Sequence, residues 1–119
     1  MEPAKRDIKI TTGDTFRIGF RVYTRAQNSN TKTYIDLTGY TGVAKMRKHE
    51  ADETVLLSFT VAVDPDQTTN RGLVRVTATA VQTAALTEGG VWACSLTSPG
   101  GEKYTWVRGT AFISPGVTR

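Results

Sequence analysis

From residue 15 to residue 23 the chain alternates without a break. Phe16, Ile18, Phe20 and Val22 are apolar, and Arg17, Gly19, Arg21 and Tyr23 fall between them. Successive side chains of an extended chain point to opposite faces, so this spacing builds a strand with one face on a core and one facing outward. A helix would scatter the same residues around its axis. The rhythm returns along the chain. Ile8 and Ile10 flank Lys9, and Ala44 and Met46 alternate with Lys45 and Arg47 inside the stretch 34–48. Leu57, Phe59, Val61 and Val63 share a face, as do Val74, Val76 and Ala78, and then Trp92, Cys94 and Leu96. A final strand over 102–114 carries Tyr104, Trp106, Val107, Ala111, Phe112 and Ile113, with Gly109 expected as a bulge or bend.

Turn chemistry separates these runs. Thr12-Gly13-Asp14, Asp36-Leu37-Thr38-Gly39, Asp64-Pro65-Asp66, Asn70-Arg71-Gly72, Glu88-Gly89-Gly90 and Ser98-Pro99-Gly100-Gly101 each supply residues that bond local backbone or accept a positive φ. Asp36 and Gly39 are the structural residues of the turn that leads into the central strand. The polar run 25–33 reads as an exposed hairpin tip or loop, where recognition contacts often sit. Only 79–86, with Thr79 as N-cap and several alanines, suits a helical turn. The expected fold is therefore all-β: an antiparallel immunoglobulin-like β-sandwich of about seven strands with one short helical turn near 80–86. It forms one domain over 1–119, in which 1–6 is a flexible N-terminal arm. No helical stretch is long enough for the crossovers of a parallel sheet, which excludes α/β architectures.

A chain of 119 residues with 39% apolar content can bury one ordinary core. Its net charge of +4 comes from basic residues spread through the sequence, which reads as solubility and not as a nucleic-acid footprint. Cys94 is the single cysteine, so no intrachain disulfide can form. It is expected as a small buried residue beneath Trp92. The first residues lack the apolar run of a secretory signal and no segment approaches bilayer length, so the expectation is a protein made in a reducing cytosol, used without export and without a membrane partner.

Chemistry is sparse. His49, the single histidine, lies in a charged segment with no partner in view and reads as solvated. One histidine and one cysteine cannot make a soft metal site, no carboxylate run has the spacing of a calcium loop, and no glycine-rich loop opens a helix. No catalytic residue, cofactor or metal is expected, which leaves the surface. Arg17, Arg21 and Tyr23 share one outer face, and Lys45 and Arg47 occupy another. Interfaces are enriched in arginine and aromatic residues, so Arg17, Arg21, Tyr23 and Arg47 are candidate interface residues. Trp106 is either core or an anchor of the same kind. Gly19, on the outer face, is expected to mark a bulge or the close approach of another backbone.

Five segments, Ile-Asp-Leu-Thr-Gly-Tyr-Thr from residue 35, Val-Ala-Lys-Met-Arg-Lys from 43, Asn-Arg-Gly-Leu-Val-Arg-Val-Thr from 70, Leu-Thr-Glu-Gly-Gly-Val-Trp from 86 and Val-Arg-Gly-Thr-Ala-Phe-Ile-Ser-Pro-Gly-Val-Thr from 107, carry a resemblance. Together they resemble small β-sandwich proteins of tailed bacteriophages: baseplate or tail-collar proteins that anchor side fibres, and N-terminal domains of upper baseplate proteins. The resemblance implies a non-enzymatic virion protein of the tail tip, assembled in the host cytoplasm as a ring-shaped homo-oligomer. Its implied partners are the tail tube or baseplate hub and a side tail fibre, with no nucleic acid. The alternatives are a capsid decoration or head-tail joining protein, and a stand-alone carbohydrate- or protein-binding module using Trp106 or Tyr104.

Overall fold

A computed structural model describes residues 4–25 and 32–115. In chain order the strands are β1 (Ala4–Lys5), β2 (Ile8–Thr11), β3 (Phe16–Arg21), β4 (Tyr23–Arg25), β5 (Lys32–Tyr34), β6 (Thr41–Arg47), β7 (Leu57–Val63) and β8 (Leu73–Ala78). The helix α1 (Ala80–Ala84) follows, and then β9 (Gly90–Thr97) and β10 (Lys103–Ser114). The protein is all-β apart from that one helix. Thr79 caps α1 as its composition requires: its hydroxyl accepts from the Gln82 N–H, and the Gln82 side chain accepts in return from the Thr79 N–H.

One sheet runs β1-β10-β9-β6-β7-β8-β3, with β2 also on β10 and β4–β5 as a separate hairpin. It curls because β7 changes partners along its length. Leu57 to Phe59 pair with β6 and Thr60 to Val63 pair with β8. The two ends of the sheet thereby face each other. Ile8 and Ile10 from one end and Phe16, Val76 and Ala78 from the other share a core with Met46, Phe59, Trp92, Cys94 and Val107. Phe16, Phe59 and Trp92 pack in sequence, the first pair tilted and the second edge to face, with ring centroids 5.7 and 6.1 Å apart. A second cluster, Val22, Leu37, Val74 and Leu96, lies beneath the 36–39 turn.

Several expectations change here. The sheet is mixed, not antiparallel, because β1 and β2 run parallel to β10. Parallel pairing between the two ends of the chain leaves no local sequence mark, since the partners lie about a hundred residues apart. Among the described residues the ten strand segments exceed the expected seven by three: β1 forms in the expected arm and is cut from β2 at Arg6 and Asp7, Val22 splits β4 from the long alternating run, and β5 forms at the end of the polar run. Residues 4–6 of the expected flexible arm are tied to β10. The Arg6 N–H donates to the Arg108 carbonyl, and the Trp92 indole donates to the Arg6 carbonyl at 2.8 Å. Residues 1–3 lie outside the described residues. The bulge of β10 falls between Thr105 and Val107, not at Gly109. Gly109 sits where the first strand breaks: a Cβ there would collide with the Arg6 carbonyl, and the Asp7 carboxylate accepts the neighbouring Thr110 N–H at 2.9 Å. Gly19 makes no bulge; it pairs regularly opposite Arg75, and its carbonyl accepts from the Arg6 guanidinium.

Candidate interaction surface

The long alternation of β3 sorts its side chains as the sequence requires. Phe16 is buried, Ile18 and Phe20 are half-buried, and Arg17, Gly19 and Arg21 face outward. Past Val22, whose N–H donates to the Gly72 carbonyl, the chain leaves the main sheet and forms the β4–β5 hairpin. The strands of that hairpin extend into the run 25–33 expected to be an exposed hairpin tip or loop, with Thr24 opposite Thr33 and Arg25 opposite Lys32; residues 26–31 lie outside the described residues. At the hairpin base Tyr23 and Tyr34 are direct cross-strand partners, and their rings meet edge to face at 6.0 Å. The Arg21 guanidinium lies 5.4 Å from the centre of the Tyr34 ring, and the Lys32 ammonium 4.8 Å from that of Tyr23. The four side chains thus lie in the order cation, ring, ring, cation: Arg21, Tyr34, Tyr23, Lys32. Each cation is held over a π face at a site open to water, an arrangement worth about 0.5–1 kcal/mol per contact.

Arg21 and Tyr23 are therefore brought together through Tyr34, while Arg17 stays apart, opposite Thr77 on β8. Tyr34 and Lys32 were not singled out by their spacing. The available signal was symmetry, since Tyr23 and Tyr34 flank the polar run at positions that a hairpin places face to face.

Below the hairpin the Asp36–Gly39 turn is fastened from both sides. The Thr38 hydroxyl and N–H both donate to the Asp36 carboxylate, at 2.6 and 3.0 Å, and these two bonds hold that carboxyl below its ordinary range. Gly39 has a φ of 80°, a region that a side chain would strain. Gln67, a buried polar residue in a loop whose sequence carries no pattern, ties this turn to the next. Its side-chain oxygen accepts from the Leu37 and Gly72 N–H groups at 2.9 Å each, and its amide donates to the Asp64 carbonyl. Asp64 accepts from the Asp66 N–H and from the Arg75 guanidinium at 2.7 Å. The Asp66 bond first and the Arg75 bond second keep its carboxyl below the usual value.

The other sequence candidates have structural duties. Arg47 lies on the outer side of β6, but its guanidinium donates to the Asp52 and Glu53 carbonyls at 3.1 and 2.8 Å and so braces the loop after β6. Trp106, at the bulge of β10, packs against both core clusters. His49 is exposed, with Nδ1 3.5 Å from an Asp52 carboxylate oxygen. Cys94 is fully buried, and burial pushes its thiol up to about 12, so thiolate chemistry is suppressed near neutral pH. Among the described residues no group of histidine, cysteine and carboxylate side chains is placed to hold a metal, and no helix is long and apolar enough to cross a membrane. No known protein-family model matches the chain, and no curated protein matches it.

Proposed function

We propose that the chain is a non-enzymatic structural protein of a phage tail tip, forming a collar or baseplate ring around the tail tube and holding a tail fibre or a neighbouring subunit. With this reading goes the proposal that the curled sheet is a variant of the immunoglobulin-like sandwich. One observation carries it. The segments that bear the resemblance to phage tail sandwiches supply half of the buried apolar residues, Leu37, Ala44, Met46, Val74, Val76, Leu86, Trp92, Val107 and Ala111, and the other half, Ile10, Phe16, Phe59 and Leu96 among them, lie outside those segments. The outward cation and tyrosine ladder on β3, β4 and β5 lies outside those segments. A buried frame that sets the fold, joined to an outward surface of cations and tyrosines, suits a protein that assembles by contact.

Immunogold labelling of intact virions of the phage encoding this chain tests the location. Label at the distal tail is expected. Label over the head would favour the capsid or head-tail alternative, and particles free of label would contradict a virion role altogether.

A further inference from the structure

The outer face of the β6, β9 and β10 strands holds a shallow groove of about 790 Å³ whose chemistry is one-sided. Registers fix its rows. Val43, Ser95 and Thr105 form one row across the three strands; Lys45, Ala93 and Arg108 form the next, with Lys5 of β1 continuing it; Arg47, Val91 and Thr110 form the third. The middle is small or apolar, and Val43 is 48% exposed although it sits on a central strand. The rim carries Lys5, Lys45, Arg47, Lys103 and Arg108 against a single carboxylate, Glu50. Glu50 reaches only Arg108, at 3.5 Å, and no carboxylate of the described residues pairs with Lys5, Lys45 or Lys103.

Two physical points make this more than a solvated face. Lys5 and Arg108 are direct partners in the β1–β10 ladder, and like charges placed directly opposite each other destabilise a sheet. Glu50 offsets the charge of Arg108 at 3.5 Å but leaves Lys5 without a carboxylate, and an anion lying across the pair would relieve the repulsion. Secondly, the groove floor is flat and offers no aromatic face for a base, because the one aromatic residue lining it, Trp92, buries its ring in the core. Single-stranded nucleic acid binds through such stacking platforms. An apolar strip with a charged rim is instead the layout of a protein interface.

We infer that this face is a docking site for an acidic protein segment, an extended chain whose alternate carboxylates meet Lys45, Lys103 and Lys5 while small apolar side chains cover Val43, Val91 and Ala93. The inference goes beyond the tail-tip reading and holds whether or not the chain is a virion protein. It also concerns a surface separate from the tyrosine hairpin.

The test is a heteronuclear NMR titration of the isotope-labelled full chain with a synthetic octapeptide of alternating glutamate and valine, alongside a lysine–valine octapeptide and a single-stranded DNA dodecamer. The glutamate peptide is expected to shift the amides of Val43, Lys45, Val91, Ala93 and Arg108. Lys45→Glu combined with Lys103→Glu should weaken its binding at least about tenfold, whereas Lys48→Glu combined with Arg71→Glu, the same charge change placed off the face, should leave it within about twofold. Both pairs alter exposed side chains, and circular dichroism verifies that each variant folds. Equal weakening by the two pairs, no shift on this face, or tighter binding of the DNA to the same amides would each overturn the inference.

Discussion

Gln67 shows how much can depend on a residue that no sequence pattern marks. Its oxygen serves two buried N–H donors, Leu37 and Gly72, from separate turns of the chain, so Gln67→Ala leaves both without a partner. A loss of about 2–6 kcal/mol is expected in urea denaturation, from roughly 1–3 kcal/mol for each of the two orphaned donors. Asp64 adds a pH dependence of known sign. Its carboxyl is held below its ordinary value in the folded chain, so the stability that it contributes is fully present above the unfolded value of 3.8 and is lost as pH falls through the lowered one. Denaturation midpoints measured from neutral pH down to about pH 3 should fall steeply at the acid end for the parent chain and less steeply for Asp64→Asn. Asp36, lowered by Thr38, adds to the acid sensitivity of both proteins. The Asp36–Gly39 turn was legible because its residues bond one another; Gln67 was not, because the partner that makes it a tie between two turns, Leu37, lies thirty residues away.

At the scale of elements, strands were legible and their partners were not. Period two revealed which side chains of β3, β6, β8 and β9 face inward, since burial acts on each strand separately. Pairing depends on pieces that meet only in the fold, which is why the parallel attachment of β1 and β2 to β10 and the change of partner along β7 went unread. The hairpin illustrates the same limit: its polar residues left hairpin tip and loop both open, and only the register of Thr24 with Thr33 and Arg25 with Lys32 shows how far pairing enters that run. The junction at Gly109 makes the N-terminal attachment testable. Gly109→Ala would drive a methyl group into the Arg6 carbonyl, so the β1 ladder and the Trp92 indole bond must shift together. A loss of about 1–3 kcal/mol is expected, typical of overpacking. Hydrogen exchange at Arg6 and Thr110 should quicken while exchange at the core amides of β9 keeps its pattern. Unchanged exchange at Arg6 would mean that the attachment tolerates the methyl group.

For the whole molecule, what the chain offers a partner lies on its outside: a tyrosine and cation ladder where the separate β4–β5 hairpin meets β3, and a basic groove on the outer face of the curled sheet. The candidate site was half legible in the same sense as the fold. Arg21 and Tyr23 were marked by alternation, while Tyr34 and Lys32, which complete the ladder, emerge only from the hairpin register. Arg47 and Trp106 look alike in sequence as interface candidates, yet one braces a loop and the other bridges two cores. The central claim is that the protein works by assembling through its surface, and light scattering coupled to size-exclusion chromatography tests it most directly. The parent chain, alone or mixed with the phage tail-tube protein, is expected to elute as a defined multimer or complex, and Arg21→Glu combined with Tyr34→Ala should reduce it to a monomer with an unchanged circular dichroism spectrum. A parent chain that stays strictly monomeric and binds no tail-tube protein would contradict the account.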